Sequence, residues 1–232
     1  MIAADQILRI PLIPVLAVQA RRVRQTALLL PEPEGARTGS AGSGSSLRLL
    51  IVGDSSAAGV GAQTQSEALS GQLVHHLSQR YSVSWRLEAC TGHATQDSID
   101  RLMAIPPQLF DIAVIALGVN DVTQATTKAQ FRRQQALLWA LLQTRFGIQQ
   151  ILSSGVPQMQ YLPLLPQPLA WVVGKQAARL DRVLEELAAN TAMASHIPMR
   201  FSQDPSLAAS DGFHPSPAAY TLWATTLADH IP

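Results

Sequence analysis

The chain has a single cysteine, Cys90. It can form no internal disulfide, and one thiol reports nothing about its compartment. Charge is also scarce: 14% of the 232 residues are Asp, Glu, Lys or Arg, and the formal net charge is +1. That balance leaves no basic footprint for nucleic acid and no long-range field to steer acidic ligands. No stretch reaches the about 20 predominantly apolar residues of a membrane span. The nearest approach, from Ile7 to Ala20, is interrupted by Arg9, Pro11 and Pro14. Its basic cluster, Arg21-Arg22-Val23-Arg24, follows the apolar part, whereas a secretory signal carries its positive charge first. No internal repeat is visible. His75 and His76 have no second ligand pair nearby at metal spacing, so they read as partly exposed helix residues.

What is present is apolar. Hydrophobic residues make up 47% of the chain, ample for one full core, and the length suits one α/β domain with some long loops. Residues 1–30 read as an N-terminal arm, amphipathic from Pro14 onward. It either packs against the domain or a partner, or lies at a membrane surface. Pro31 to Ser46 (PEPEGARTGSAGSGSS) has the composition of a flexible linker, which puts the domain at 47–232. The expected location is the cytoplasm, with peripheral membrane attachment through the arm as the alternative.

The domain is organised around Leu49-Leu50-Ile51-Val52-Gly53-Asp54-Ser55. Four consecutive aliphatic residues predict a strand buried on both faces, and the glycine ends it in a turn that carries the serine. Open α/β sheets take their ligands at such carboxyl ends. Val83 to Ala89, Asp111 to Leu117 and Ile148 to Ser153 read as further strands. Helices are expected over Ser66–Arg80, Gln96–Ala104, Lys128–Phe146, Val172–Ala194 and Pro217–His230, with a short extended piece from Ile197 to Phe201. Alternating strands and helices predict a parallel, doubly wound sheet. The proline-rich stretch Gly155 to Trp171 is too long for an ordinary connection; it is either a loop folded onto the core, or an apolar wall for a ligand or a lid.

An alkanol is a weak nucleophile and needs a base, and the base needs an orienting group. Asp211-Gly212-Phe213-His214-Pro215 supplies both on one turn: Asp211 can fix the tautomer of His214 and stabilise its imidazolium. Ser55 alone would read as a helix cap; beside that pair it reads as a nucleophile. The other turns at strand ends, Cys90-Thr91-Gly92-His93-Ala94-Thr95 and Gly118-Val119-Asn120-Asp121, fall on the same rim. The N–H groups of Ser55 and Gly92 and the amide of Asn120 are candidate donors to an oxyanion. Asp54 and Asp121 read as hydrogen-bonding groups that hold these loops.

These four blocks, in this order, resemble those of the SGNH hydrolases, the GDSL esterase/lipase family. The resemblance runs from Leu47 to the C-terminus. It implies a flavodoxin-like three-layer α/β/α sandwich and hydrolysis of short- to medium-chain carboxylic esters through an acyl-serine, without metal or cofactor. It assigns Ser55 as nucleophile, His214 as base and then acid, and Asp211 as orienter. Gly92 and Asn120 join Ser55 in the oxyanion hole, and the only partner implied is a small acyl ester. Ser56 departs from the pattern, since many relatives carry leucine, isoleucine or threonine there. The alternatives are an acyltransferase with the same site and a phosphate- or nucleotide-binding module built on the glycine-rich turn after Val52. That turn lacks the lysine of a P-loop.

Overall fold

A computed structural model describes residues 9–232 of the chain. Helix α1 (Ile13–Thr26) precedes strand β1 (Thr38–Ala41) and strand β2 (Ser45–Gly53). There follow α2 (Ser55–Ala58), α3 (Leu69–Leu77), β3 (Tyr81–Ala89), α4 (Thr95–Ala104), β4 (Ile112–Ala116) and α5 (Val119–Thr123). The chain closes with α6 (Lys128–Phe146), β5 (Gln150–Ser154), α7 (Leu169–Ala189), β6 (Ala194–Ile197) and α8 (Pro217–Ala228). The six strands form one sheet in the order β1-β3-β2-β4-β5-β6, parallel except for β1, which runs antiparallel to β3.

The aliphatic run in β2 explains why this strand lies inside the sheet. Its side chains alternate: Leu49 and Ile51 pack with α3 and α8, while Leu50 and Val52 pack with α4, α6 and α7. All four have no exposed surface. The result is a three-layer α/β/α sandwich, with a helix layer on each face of a mostly parallel sheet, as the flavodoxin-like reading expected. Helix α6 starts where Thr127 accepts the N–H of Gln130 and stops at Gly147, whose positive φ of 68° permits the left-handed turn.

The expected flexible linker is corrected by the sheet. Thr38–Ala41 is strand β1, in register with β3 from Thr38 opposite Arg86 to Ala41 opposite Val83. Ahead of it, Glu32 accepts the N–H and hydroxyl of Thr91, each at 2.8 Å, and pairs with Arg37 at 2.8 Å; Arg37 also donates to the carbonyl of Ala89. Glycine and serine composition looks unstructured because it carries no apolar pattern, yet an edge strand needs mainly free backbone groups to pair with. The ordered sheet therefore begins at Thr38, not Leu47.

Smaller boundaries also move. The helix expected over Ser66–Arg80 is confined to Leu69–Leu77, and α7 starts at Leu169 and ends at Ala189, where Asn190 caps it, instead of running from Val172 to Ala194. The last strand comes earlier than the extended piece expected through Phe201, over Ala194–Ile197. Of the expected arm, the part before Arg9 lies outside the described residues.

Candidate active site

Strand β2 ends at Gly53, and only glycine fits there. A Cβ would stand 2.4 Å from that of Ala57 and 2.5 Å from the carbonyl of Ala116, so β2 could not pass so close to α2 and β4. The chain then turns: Asp54 caps α2, its Oδ1 accepting the N–H of Ser56 at 2.9 Å and its hydroxyl at 2.6 Å. This accounts for the serine at position 56, which serves the cap. Ser55 opens the helix on the carboxyl rim of the sheet, almost fully buried.

Its partner arrives from the far end of the chain. The segment before α8 folds back on itself: the N–H of Ala209 donates to the carbonyl of His214 at 2.7 Å, and that of Ser216 to Leu207 at 2.9 Å. Within that turn Asp211 accepts the N–H groups of Phe213 and His214 at 2.9 and 3.0 Å. Its other oxygen lies 2.5 Å from His214 Nδ1, and His214 Nε2 lies 2.9 Å from Ser55 Oγ. The structure thus brings Ser55, His214 and Asp211 into one hydrogen-bonded series. Burial pushes the Asp211 carboxyl up, but its bonds from His214 and the two backbone N–H groups outweigh this and hold it below the usual carboxylate range.

Asp54 and Asp121 behave differently. Burial drives both carboxyls above their ordinary range, against hydrogen bonds from Ser56 to Asp54 and from Thr95 to Asp121. Asp121 accepts both the N–H and the hydroxyl of Thr95, at 3.1 and 2.9 Å, and Gln135 donates to that hydroxyl at 2.9 Å. Asp121 therefore ties two loops together, while Asp54 holds its own turn as the cap of α2.

Asn120 and Gly92 sit on neighbouring turns. Asn120 Nδ2 donates to the carbonyl of His93 at 3.0 Å, which links the turn after β4 to the turn after β3. Gly92 has φ of +85°, and the space where its Cβ would lie is open, with no atom within 4 Å. Cys90, which reads from sequence as a buried small residue, is half-buried at the end of β3.

A cavity of about 770 Å³, counting space open to solvent, lies against Ser55 and His214. The proline-rich stretch supplies Pro157, Tyr161, Leu162 and Pro163 to its wall, while Met159 of the same stretch is fully buried in the core. The stretch therefore divides between core and cavity wall, residue by residue. Another part of the wall, with Met199, Pro205 and Leu207, carries no site signal in the sequence. It precedes the Asp211/His214 turn without any periodic pattern. Gly92 and Asn120 lie outside this cavity wall.

A hydroxyl, an imidazole and a carboxylate in series at the rim of a layered α/β/α domain are the arrangement of the serine hydrolases. Residues 51–222 match the model of the GDSL-like lipase/acylhydrolase family, and the chain belongs to that family. No curated protein matches the sequence. Solved structures share the fold. A lipase/acylhydrolase from Enterococcus faecalis is 20% identical, with a TM-score of 0.61 over 80% of this chain and 95% of its own. An acetylxylan esterase from Geobacillus stearothermophilus is 16% identical, with a TM-score of 0.60 over 81% and 95%. A phospholipase A1 from Streptomyces albidoflavus NA297 is 16% identical, with a TM-score of 0.62 over 79% and 98%.

Proposed function

We propose that the protein hydrolyses short- to medium-chain carboxylic esters through an acyl-serine on Ser55. The observation that carries this is the 2.9 Å contact between His214 Nε2 and Ser55 Oγ, with Asp211 on the other ring nitrogen. As Ser55 Oγ bonds to the acyl carbon, its proton passes to His214 Nε2, and Asp211 stabilises the imidazolium that forms. The carbonyl electron pair moves onto oxygen, and the N–H groups of Ser55 and Gly92 and the Asn120 amide donate hydrogen bonds to that oxyanion. The carbonyl re-forms, the C–O bond to the alcohol breaks, and His214 returns its proton to the departing alcohol. Water, deprotonated by His214, then releases the acid and restores Ser55. The open space at Gly92 leaves room for substrate there, and the Asn120 amide keeps a second N–H beyond the one given to His93; both support this assignment of the donors.

The apolar cavity beside Ser55 supports an acyl chain as its occupant, since few polar groups there ask for partners. Turnover of a nitrophenyl ester series from acetate to decanoate tests the reading, with the free acid identified as product. Hydrolysis by the wild type and its loss in Ser55→Ala are expected. Undiminished turnover in Ser55→Ala overturns it.

A further inference from the structure

We propose that helix α1 is a docking surface for an anionic lipid bilayer. Its inner side, Leu16, Gln19, Ala20 and Val23, is half-buried against the domain, and no residue of the helix is fully buried. The outer side changes character along its length. Its first two turns present Ile13 and Val18, 57% and 68% exposed, with Ile10 just ahead of them; its last two present Arg21, Arg22 and Arg24. Residues 9–31 contain four arginines and no acidic residue. Among the described residues none of those arginines has an ion-pair partner. Apolar side chains followed by unpaired cations match a bilayer with anionic headgroups. The apolar part enters the acyl boundary and the guanidinium groups bind headgroup oxygens. Among the described residues no helix is long and apolar enough to cross a membrane, so this contact is peripheral.

The helix is fixed where docking would matter. Gln19 donates to the carbonyl of Gln167 at 2.7 Å and accepts the N–H of Leu169 at 3.1 Å. Both belong to the end of the proline-rich stretch whose Tyr161, Leu162 and Pro163 wall the cavity. A bilayer bound by α1 is thereby coupled, through a few residues of backbone, to the wall of the acyl site.

The docking does not depend on the chemistry of Ser55, so it is measured on the full chain carrying Ser55→Ala. Cosedimentation is run with vesicles of phosphatidylcholine alone and with about a third phosphatidylglycerol. Binding to the anionic vesicles only, with release at high salt, is expected. Replacing Arg21, Arg22 and Arg24 by Gln lowers partition about fivefold each, on the order of a hundredfold together. Ile13→Ser with Val18→Ser also lowers it, with an unchanged melting curve. In the Ser55 form, the same arm variants leave turnover of a nitrophenyl ester in solution unaltered. Failure to bind anionic vesicles at low salt overturns the proposal, as does binding that neither set of variants reduces. Self-association abolished by Ile13→Ser/Val18→Ser, without vesicle binding, assigns the face to a second copy and equally overturns it.

Discussion

Ser55 and His214 are 159 residues apart in the chain and 2.9 Å apart in space, Oγ to Nε2. What brings them together is backbone. The turn carrying His214 is closed by Ala209 and Ser216 on one side and by the N–H of Leu164, which donates to the carbonyl of Gly212 at 3.0 Å, on the other. The turn that carries the imidazole is thus held by its own closing bonds and by the proline-rich stretch before any substrate arrives, which is the preorganisation that proton transfer requires.

Asp211→Asn tests the orienting role. Asparagine keeps an oxygen for the N–H groups of Phe213 and His214, so the turn persists, but its amide favours the wrong imidazole tautomer. Ester turnover is expected to drop by about 10⁴-fold with little change in KM. A loss under about tenfold, from steady-state kinetics on a nitrophenyl ester, would show that the carboxylate is dispensable.

Asp54 makes a pH prediction of opposite sign to most carboxylates. Burial raises its carboxyl in the folded chain, so between the unfolded and folded values the native state holds the extra proton and stability falls as pH rises through that window. Asp54→Asn keeps the acceptor for Ser56 and loses this dependence. Urea unfolding of both proteins at about pH 4 and about pH 7 should find the wild type gaining on the variant at the lower pH. A constant or reversed difference contradicts the assignment.

Much of this was legible in the sequence because it was written in apolar spacing and turn chemistry. Leu49 to Val52 announced a doubly buried strand, and Asp211 and His214 announced a pair because their spacing lets one turn join them. Strand β1 was not legible: Thr38-Gly39-Ser40-Ala41 pairs through backbone groups, and composition does not report these. Met199, Pro205 and Leu207 of the cavity wall were hidden for a related reason, since an irregular segment lining a pocket follows no period. Asn120 was legible as a rim residue, but its bond to the carbonyl of His93 depends on two turns meeting across the sheet.

The edge strand has a measurable worth. A chain beginning at Pro31 retains β1, Glu32 and Arg37, and one beginning at Leu47 loses all three and leaves β3 as an open edge. The shorter chain is expected to melt roughly 5–10 °C lower and to aggregate as its concentration rises. Equal melting temperatures by calorimetry would mean that β1 contributes nothing to the domain.

With an acyl chain in the cavity, as proposed, the cavity wall would limit its length. Leu162→Trp adds bulk to the wall of the cavity that Ser55 and His214 also line, and leaves Ser55, His214 and Asp211 themselves unsubstituted. Octanoate esters should lose about tenfold or more in kcat/KM relative to acetate esters, which need little of that space. An unchanged octanoate-to-acetate ratio would place the chain elsewhere.

Activation of Ser55 by His214 is tested by covalent labelling with a fluorophosphonate, mapped by peptide mass spectrometry. One label per chain on Ser55 is expected, with His214→Ala reacting about a thousandfold more slowly. Label on another residue, or equal labelling rates with and without the His214 imidazole, would contradict it.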